Sequence, residues 1–179
     1  TFWMMALGAA LAGLCGYGLT GFQAPMTQRV HGVDPGSFAW EFGGPLALSA
    51  AAGTFFGGFL VDRWSPKFPK AVAIVPVIGF LLTPALYIFA YYLPTEQIYS
   101  VGRPMWLLGA FCAYMYLGSQ YTIGQGVVSQ RERAAAIAIL LFIIAVIGNG
   151  VGPQLTGLLS DIFMQNLISA NPDGAGLAA

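Results

Sequence analysis

Charge is what this chain has least of. Seven Lys or Arg and seven Asp or Glu are spread over 179 residues, and a single His adds nothing formal. Charged residues make up 8% of the chain, against about 25% in an ordinary soluble domain. With so few polar side chains the chain could not cover a water-facing surface, so a soluble globular domain is excluded. Disorder is excluded too, because it needs low hydrophobicity and high net charge, whereas 57% of residues are hydrophobic and the net charge is zero. That zero balance also removes the basic footprint that nucleic-acid binding requires. Cysteine is nearly absent: Cys15 and Cys112 offer neither a disulfide framework nor metal-ligand spacing.

What is present is long apolar sequence. Five stretches contain no Asp, Glu, Lys or Arg: 1–28, 42–61, 71–95, 104–130 and 134–160. A membrane-crossing helix needs about 20 apolar residues to span about 30 Å of hydrocarbon, and all five runs reach that length. A transmembrane β-barrel would show shorter segments of alternating polarity; the run at 134–148, AAAIAILLFIIAVIG, does not alternate. The expected fold is therefore all-α, a polytopic transmembrane bundle with helices over about 2–28, 42–62, 71–93, 104–129 and 134–160. The lipid bilayer is its first partner.

The signs of the charges orient it. Arg63, Lys67 and Lys70 lie between the second and third runs, and Arg131 and Arg133 between the fourth and fifth. The alternate connections hold only Arg29 and Arg103. The positive-inside bias puts 62–70 and 131–133 in the cytoplasm, as in a bacterial inner (plasma) membrane protein. The first helix then runs outward. Trp3, Trp40, Trp64 and Trp106 fall near the run ends, as interfacial anchors do. The chain opens on Thr, and its 161–179 tail ends in Gly and Ala as though approaching another apolar segment. Both ends read as cut from a longer protein.

The runs are rich in small residues. Gly53 and Gly57 are four apart in the second, Gly148 and Gly152 in the fifth, where Pro153 follows. Such spacing lets helix backbones approach closely in lipid. Pro45, Pro76, Pro84 and Pro153 remove backbone hydrogen bonds where they stand, so they mark bends. One match recurs: Gly58-Phe59-Leu60-Val61-Asp62 ends the second run and Gly157-Leu158-Leu159-Ser160-Asp161 ends the fifth. Both read G-x-L-x-D, and they end on opposite membrane faces. If runs one to three and four to six form triplets, these are the second members of each in inverted orientation. That is the pattern of an inverted three-plus-three repeat, as in many secondary transporters, and it calls for a missing sixth helix.

The junction GGFLVDRW (57–64) resembles the G-x-L-x-D-R loop motif of the major facilitator superfamily, with Gly58, Leu60, Asp62 and Arg63 matching. The continuation WSPKFPK departs from that family's usual Gly-Arg-Arg ending. The segment 129–163 resembles the tenth-to-eleventh helix region of the Spinster-like branch, and the opening TFWMMALGAALAGLCGYGLTGFQAPMTQRVHG resembles its seventh helix. The resemblance covers nearly the whole chain, as helices seven to eleven. It implies a fragment of the C-terminal half of a twelve-helix secondary transporter that works by alternating access. It also implies a missing N-terminal six-helix half as partner and a small-molecule substrate between the two, often amphipathic or lipid-like in that branch. The rival reading is a membrane scaffold or interaction protein built on the same bundle without transport.

Candidate residues follow. Asp62 and Arg63, supported by Arg131 and Arg133, form a candidate cytoplasmic gate. A carboxylate at a helix end can accept hydrogen bonds from the N-terminus of a facing helix; it can equally mark the membrane boundary. For the cavity, the resemblance singles out the first helix of each triplet. Tyr17, Thr20 and Gln23 lie three apart in one, and Tyr114, Tyr121 and Gln125 lie in the other, with Asn149 in the fifth run as a further candidate. Tyr and Gln offer hydrogen bonds without burying charge, though the same residues could pack against neighbouring helices. Glu41 is a candidate proton site, since acids in membranes often carry ions; at the outer interface it also reads as a plain surface charge. Nothing supports catalysis or a cofactor. His31 has no second metal ligand at useful spacing, and GxGxG at 148–152 sits in an apolar helix rather than after a strand.

Overall fold

The computed structural model describes residues 2–170, with side chains to 166. Five membrane-length elements follow one another: α1 (Phe2–His31), α2 (Pro35–Trp64), α3 (Ala71–Tyr91), α4 (Arg103–Tyr114 and Tyr116–Gly126) and α5 (Arg133–Ala170). No strand occurs among the described residues. Four of the five are long and apolar enough to cross a membrane as single helices. The fifth, α4, is interrupted at Met115. The chain is an integral membrane protein of the helical class. Its large outward side chains fit a lipid surround: Trp40 is 86% exposed, Leu48 74% and Phe142 68%. Among the described residues no Asp, Glu, Lys or Arg is buried.

Local chemistry sets the element ends. Gly32 takes φ +66° after α1, a left-handed position that glycine adopts without a Cβ penalty. Its N–H donates to the Gln28 carbonyl at 2.9 Å. Asp34 then caps α2: its Oδ2 accepts from the N–H of Gly36 at 2.9 Å and of Ser37 at 3.3 Å, with Pro35 at the first helical position. Before α5, the Ser129 hydroxyl donates to Glu132 Oε2 at 2.7 Å.

Three wide turns of π type accompany prolines. Ala39–Gly43 precedes Pro45, Ile98–Gly102 precedes Pro104, and Ala145–Asn149 precedes Pro153. Proline lacks an N–H, and its ring collides with the carbonyl four residues back. Lengthening one turn moves that carbonyl away. Pro76 and Pro84 instead sit within α3 without such a turn. The break at Met115 has another cause. Its N–H reaches back only to Cys112, at 3.3 Å, while the carbonyls of Cys112 and Met115 press on Gly79 of α3 and Gly57 of α2.

The bundle is built on two parallel pairs, α1 with α5 and α2 with α4, and α3 packs against α4. Each pair is seamed by glycine. A β-carbon on Gly152 of α5 would lie 2.7 Å from the Leu14 carbonyl oxygen of α1, and one on Gly18 of α1 would lie 2.5 Å from Thr156 Oγ1. In the other pair, a β-carbon on Gly53 would strike the Phe111 carbonyl and one on Gly57 the Met115 carbonyl. The two seams correspond. Gly53 and Gly152 are 99 residues apart, as are Gly57 and Thr156; their neighbours Leu14 and Phe111 are 97 apart, as are Gly18 and Met115. The spacing seen between the two G-x-L-x-D segments thus extends through whole helix interfaces. Because the two pairs run in opposite directions, the repeat is inverted, as expected.

Apolar packing closes both ends. Away from the basic loops, Phe42, Ile98 and Trp106 are fully buried with Val33, Phe38, Tyr87 and Ala90. At the basic end, Ala6, Ala9, Leu140 and Ile144 join α1 to α5, and Val61, Val75 and Met115 join α2 to α3 and α4.

Candidate functional site

The candidate cavity residues come from the two repeat-related helices, α1 and α4. Tyr17 stands at the middle of Phe2–His31, and Tyr114 at the middle of α4. The two are 97 residues apart, so they are repeat equivalents. Both stay partly open, at 41% and 38% exposure. They lie close enough to interact electrostatically, and Tyr116 interacts in the same way with Tyr17, Tyr114 and Tyr121. Tyr116 also packs against Phe80 of α3, with ring centroids 5.0 Å apart. Four tyrosines from two helices therefore share one neighbourhood near the bundle's mid-height. Such a group offers aromatic faces and hydroxyls without a charge.

The remaining candidates divide. Thr20 is exposed, and its hydroxyl donates to the Gly16 carbonyl of its own helix at 2.5 Å. Gln125 and Asn149 are exposed, and Tyr121 is half-buried. Gln23 lies elsewhere. It is 3% exposed and faces into the bundle, where it meets the Tyr87 hydroxyl. Thr27 and His31 continue its stripe at four-residue steps, and both are buried. The Thr27 hydroxyl donates to the Gln23 carbonyl at 2.7 Å. The structure thus brings Tyr17 near Tyr114, and Tyr116 near both and near Tyr121, but turns Gln23 into the interior. It also adds residues that the sequence reading passed over. Tyr116 completes the tyrosine group. Gln120, 97 residues after Gln23, is buried at 5% exposure and repeats Gln23's placement in α4. The 97-residue offset of the first helices, set by the glycine seams, is what picks it out.

The candidate gate lies at the basic end. Asp62 and Arg63 are exposed in the last turn of α2, beside a groove of about 440 Å³ lined by Phe59, Asp62, Arg63, Pro66 and Lys67. Gly58 itself has open space where a β-carbon would go, but Gly118 of α4 rests on its backbone, so the motif's glycine admits α4. Leu60 packs on the Val61–Val75–Met115 cluster. Arg131 and Arg133 are exposed across the neighbouring loop. At the other end, Glu41 lies half-buried in the wide turn of α2 near Tyr99, and its Oε2 is buried without a hydrogen-bond partner. Interaction with the Glu41 carboxylate, then burial, pushes the Tyr99 phenol above its ordinary value of 10.0, while Arg103 pulls the other way. Glu41 thus lies at the bundle's end, away from the mid-height of α1 and α4 where the tyrosines stand.

Comparison with known proteins agrees with this architecture. No protein-family model matches the chain. It is 28% identical over 173 residues to an MFS-type efflux pump of Mycolicibacterium smegmatis, covering 93% of this chain and 38% of the pump. Two crystal structures of a bacterial homologue of the human lysosomal transporter Spinster, inward-facing in occupied and unoccupied forms, superpose with TM-scores of 0.87 and 0.86. Sequence identity is 44% in both, over 99% of this chain and 37% and 36% of theirs. The chain spans less than two fifths of the length of each relative it matches.

Proposed function

We propose that this chain, a member of the Spinster-like branch of the major facilitator superfamily, forms part of the C-terminal half of a membrane transporter that works by alternating access. The observation that carries the reading is the central tyrosine group: two inverted-repeat equivalents, Tyr17 and Tyr114, brought together at mid-height and left partly open. In transporters built from inverted repeats the substrate binds near the bilayer midplane, at the junction of the repeats. An open polar group there, in a bundle otherwise sealed by apolar clusters and glycine seams, is where a second half would close a cavity. Uncharged aromatic hydroxyls suit a small amphipathic or lipid-like molecule, whose apolar part stacks on the rings while its polar part accepts hydrogen bonds.

The face carrying 62–70 and 131–133 is the cytoplasmic face of a bacterial plasma membrane, because five of the seven basic residues lie on it. Asp62 there acts as a latch. When the cytoplasmic side closes, its carboxylate accepts hydrogen bonds from a helix N-terminus in the other half, where the helix dipole favours negative charge. If transport is proton-coupled, the carrier residues lie in the other half, since no acid lies at mid-height among the described residues here.

The test is uptake by the intact protein in proteoliposomes, using a labelled single-chain amphiphile. Tyr17→Ala and Tyr114→Ala should each reduce uptake by about tenfold, the effect of losing interactions worth about 1.4 kcal/mol at the bound substrate. Expression and thermal stability should stay near wild type, because both rings are already partly exposed. Full uptake by both variants would remove the tyrosine group from the substrate path, and a wild-type protein that moves no amphiphile would remove the proposed function.

A further inference from the structure

The second copy of the G-x-L-x-D segment has no part in the gate just described. Gly157, Leu158, Leu159, Ser160 and Asp161 lie within α5, which continues past them to Ala170. A bare sequence match of this length is weak, but the structure adds an independent observation. The seams fix which residues are equivalent: Gly53 and Gly152 each mark a close approach to the neighbouring first helix, at Phe111 and at Leu14. Asp62 lies nine residues beyond Gly53, and Asp161 nine residues beyond Gly152. At 1.5 Å per residue, each carboxylate stands about 13 Å of helix rise from its own seam. The two pairs run in opposite directions, so these equal distances end on opposite membrane faces. Both aspartates are exposed. Asp62 lines a groove, whereas on the other face the groove of about 240 Å³ between α1 and α5 is lined by Ser160, Thr156 and Arg29 and leaves Asp161 outside it.

We infer that Asp161 is the outer-face counterpart of Asp62, a positioning residue whose carboxylate holds the outer side closed against the other half. The inference rests on the transporter reading above. Symmetry gives it content that a plain surface charge lacks. A latch that forms only in one state stabilises that state alone. Asp62 belongs to the state closed on the cytoplasmic side, and Asp161 to the state closed on the outer side. Losing either must therefore shift the equilibrium in opposite directions. The chemistry is the same at both ends: a carboxylate accepting from helix N-terminal N–H groups, whose dipole favours a negative charge. Isosteric replacement of Asp by Asn keeps the shape and removes the charge.

The experiment uses the intact transporter, cysteine-free, in oriented membranes, with one of two reporters introduced: Thr20→Cys in the outer half of α1 or Gln125→Cys near the basic end of α4. Both positions are exposed. Each is labelled with a membrane-impermeant maleimide from its own side, in wild type, Asp62→Asn, Asp161→Asn and the double variant. Asp161→Asn should raise outer-side labelling at position 20 and lower cytoplasmic-side labelling at 125 by about tenfold, the shift that one charge-assisted hydrogen bond makes in a two-state equilibrium. Asp62→Asn should do the reverse, and the double variant should return towards wild type. Asp161→Glu should restore part of the wild-type pattern, as a conserved acceptor would. If Asp161→Asn folds with wild-type thermal stability yet leaves both rates unchanged, or shifts them as Asp62→Asn does, the inference is overturned. Amphiphile uptake by the wild type separates the two levels: with uptake intact that outcome removes only the outer latch, whereas without uptake the transporter reading itself falls.

Discussion

Replacing Gly53 by Ala puts one methyl group into the α2–α4 seam. That β-carbon would collide with the Phe111 carbonyl oxygen and lie 2.8 Å from its carbon and 2.9 Å from its Cα, where ordinary contact begins at 3.4 Å. All three obstacles are backbone atoms, so no rotamer change relieves them, and the helices must separate by at least about 0.5 Å locally. Overpacking of this kind costs about 1–3 kcal/mol, and a backbone obstacle argues for the upper end. Against it stands the intrinsic preference of a helix for Ala over Gly, about 1 kcal/mol. The net loss is about 2 kcal/mol, which lowers Tm by about 2 °C in a protein of the relatives' length, since the fall per kcal/mol shrinks as the chain grows. Gly152→Ala meets one oxygen at 2.7 Å and then 3.2 Å, so its net loss is nearer 1 kcal/mol. Gly8→Ala meets nothing within 4 Å and should gain up to about 1 kcal/mol. Thermal unfolding of the purified intact protein in detergent orders the three. A Gly53→Ala protein as stable as Gly8→Ala would refute the seam geometry.

Two further outcomes follow from the same packing. Ser49→Ala removes the hydroxyl that donates to the Leu107 carbonyl of α4 at 2.7 Å; the measured loss of stability should be small, about 0.6 kcal/mol, as for other interhelical hydrogen bonds in membranes. Gly118→Ala and Gly58→Ala should differ although the two glycines touch. A β-carbon on Gly118 lies 2.7 Å from the Gly58 Cα, whereas one on Gly58 meets nothing within 4 Å. Unfolding in detergent should therefore show Gly118→Ala destabilised by about 1–3 kcal/mol and Gly58→Ala unchanged or slightly stabilised.

The spans were legible because charge is costly in hydrocarbon, so gaps between charges mark where the chain crosses. The repeat was legible at Gly58 and Gly157 because a short motif survived in both copies. Other features depend on contacts that no local pattern carries. The interruption at Met115 arises where Gly57 and Gly79, from two other helices, press on the carbonyls of residues 115 and 112. Nothing in the sequence around 115 breaks a helix. The split between Tyr17 and Gln23 has a simpler origin. Steps of three residues turn 300° each, so Tyr17 and Gln23 differ by about 120° around α1. That is wide enough for one to stay open and the other to join the buried stripe of Thr27 and His31. Gln120 is picked out only by the 97-residue offset that the seams reveal, and Tyr116, which stands opposite Leu19 at that offset, only by its neighbours.

Those two seams bear on how such a half would move. Glycine contacts between backbones resist sliding, because every displacement drives a carbonyl into the facing helix. The α1–α5 and α2–α4 seams hold the first helix of each repeat to the second helix of the other, so neither repeat can shift without breaking a seam of both. A bundle locked in this way responds to substrate as one body, and its rearrangement must occur at surfaces that carry no seam. The exposed Tyr114 and the two exposed aspartates lie on such surfaces. In a transporter of this build the switching free energy therefore resides in contacts with the other half. Asp62→Asn and Asp161→Asn should then alter the balance of states while leaving the unfolding temperature near that of the wild type, whereas the seam glycines should do the reverse.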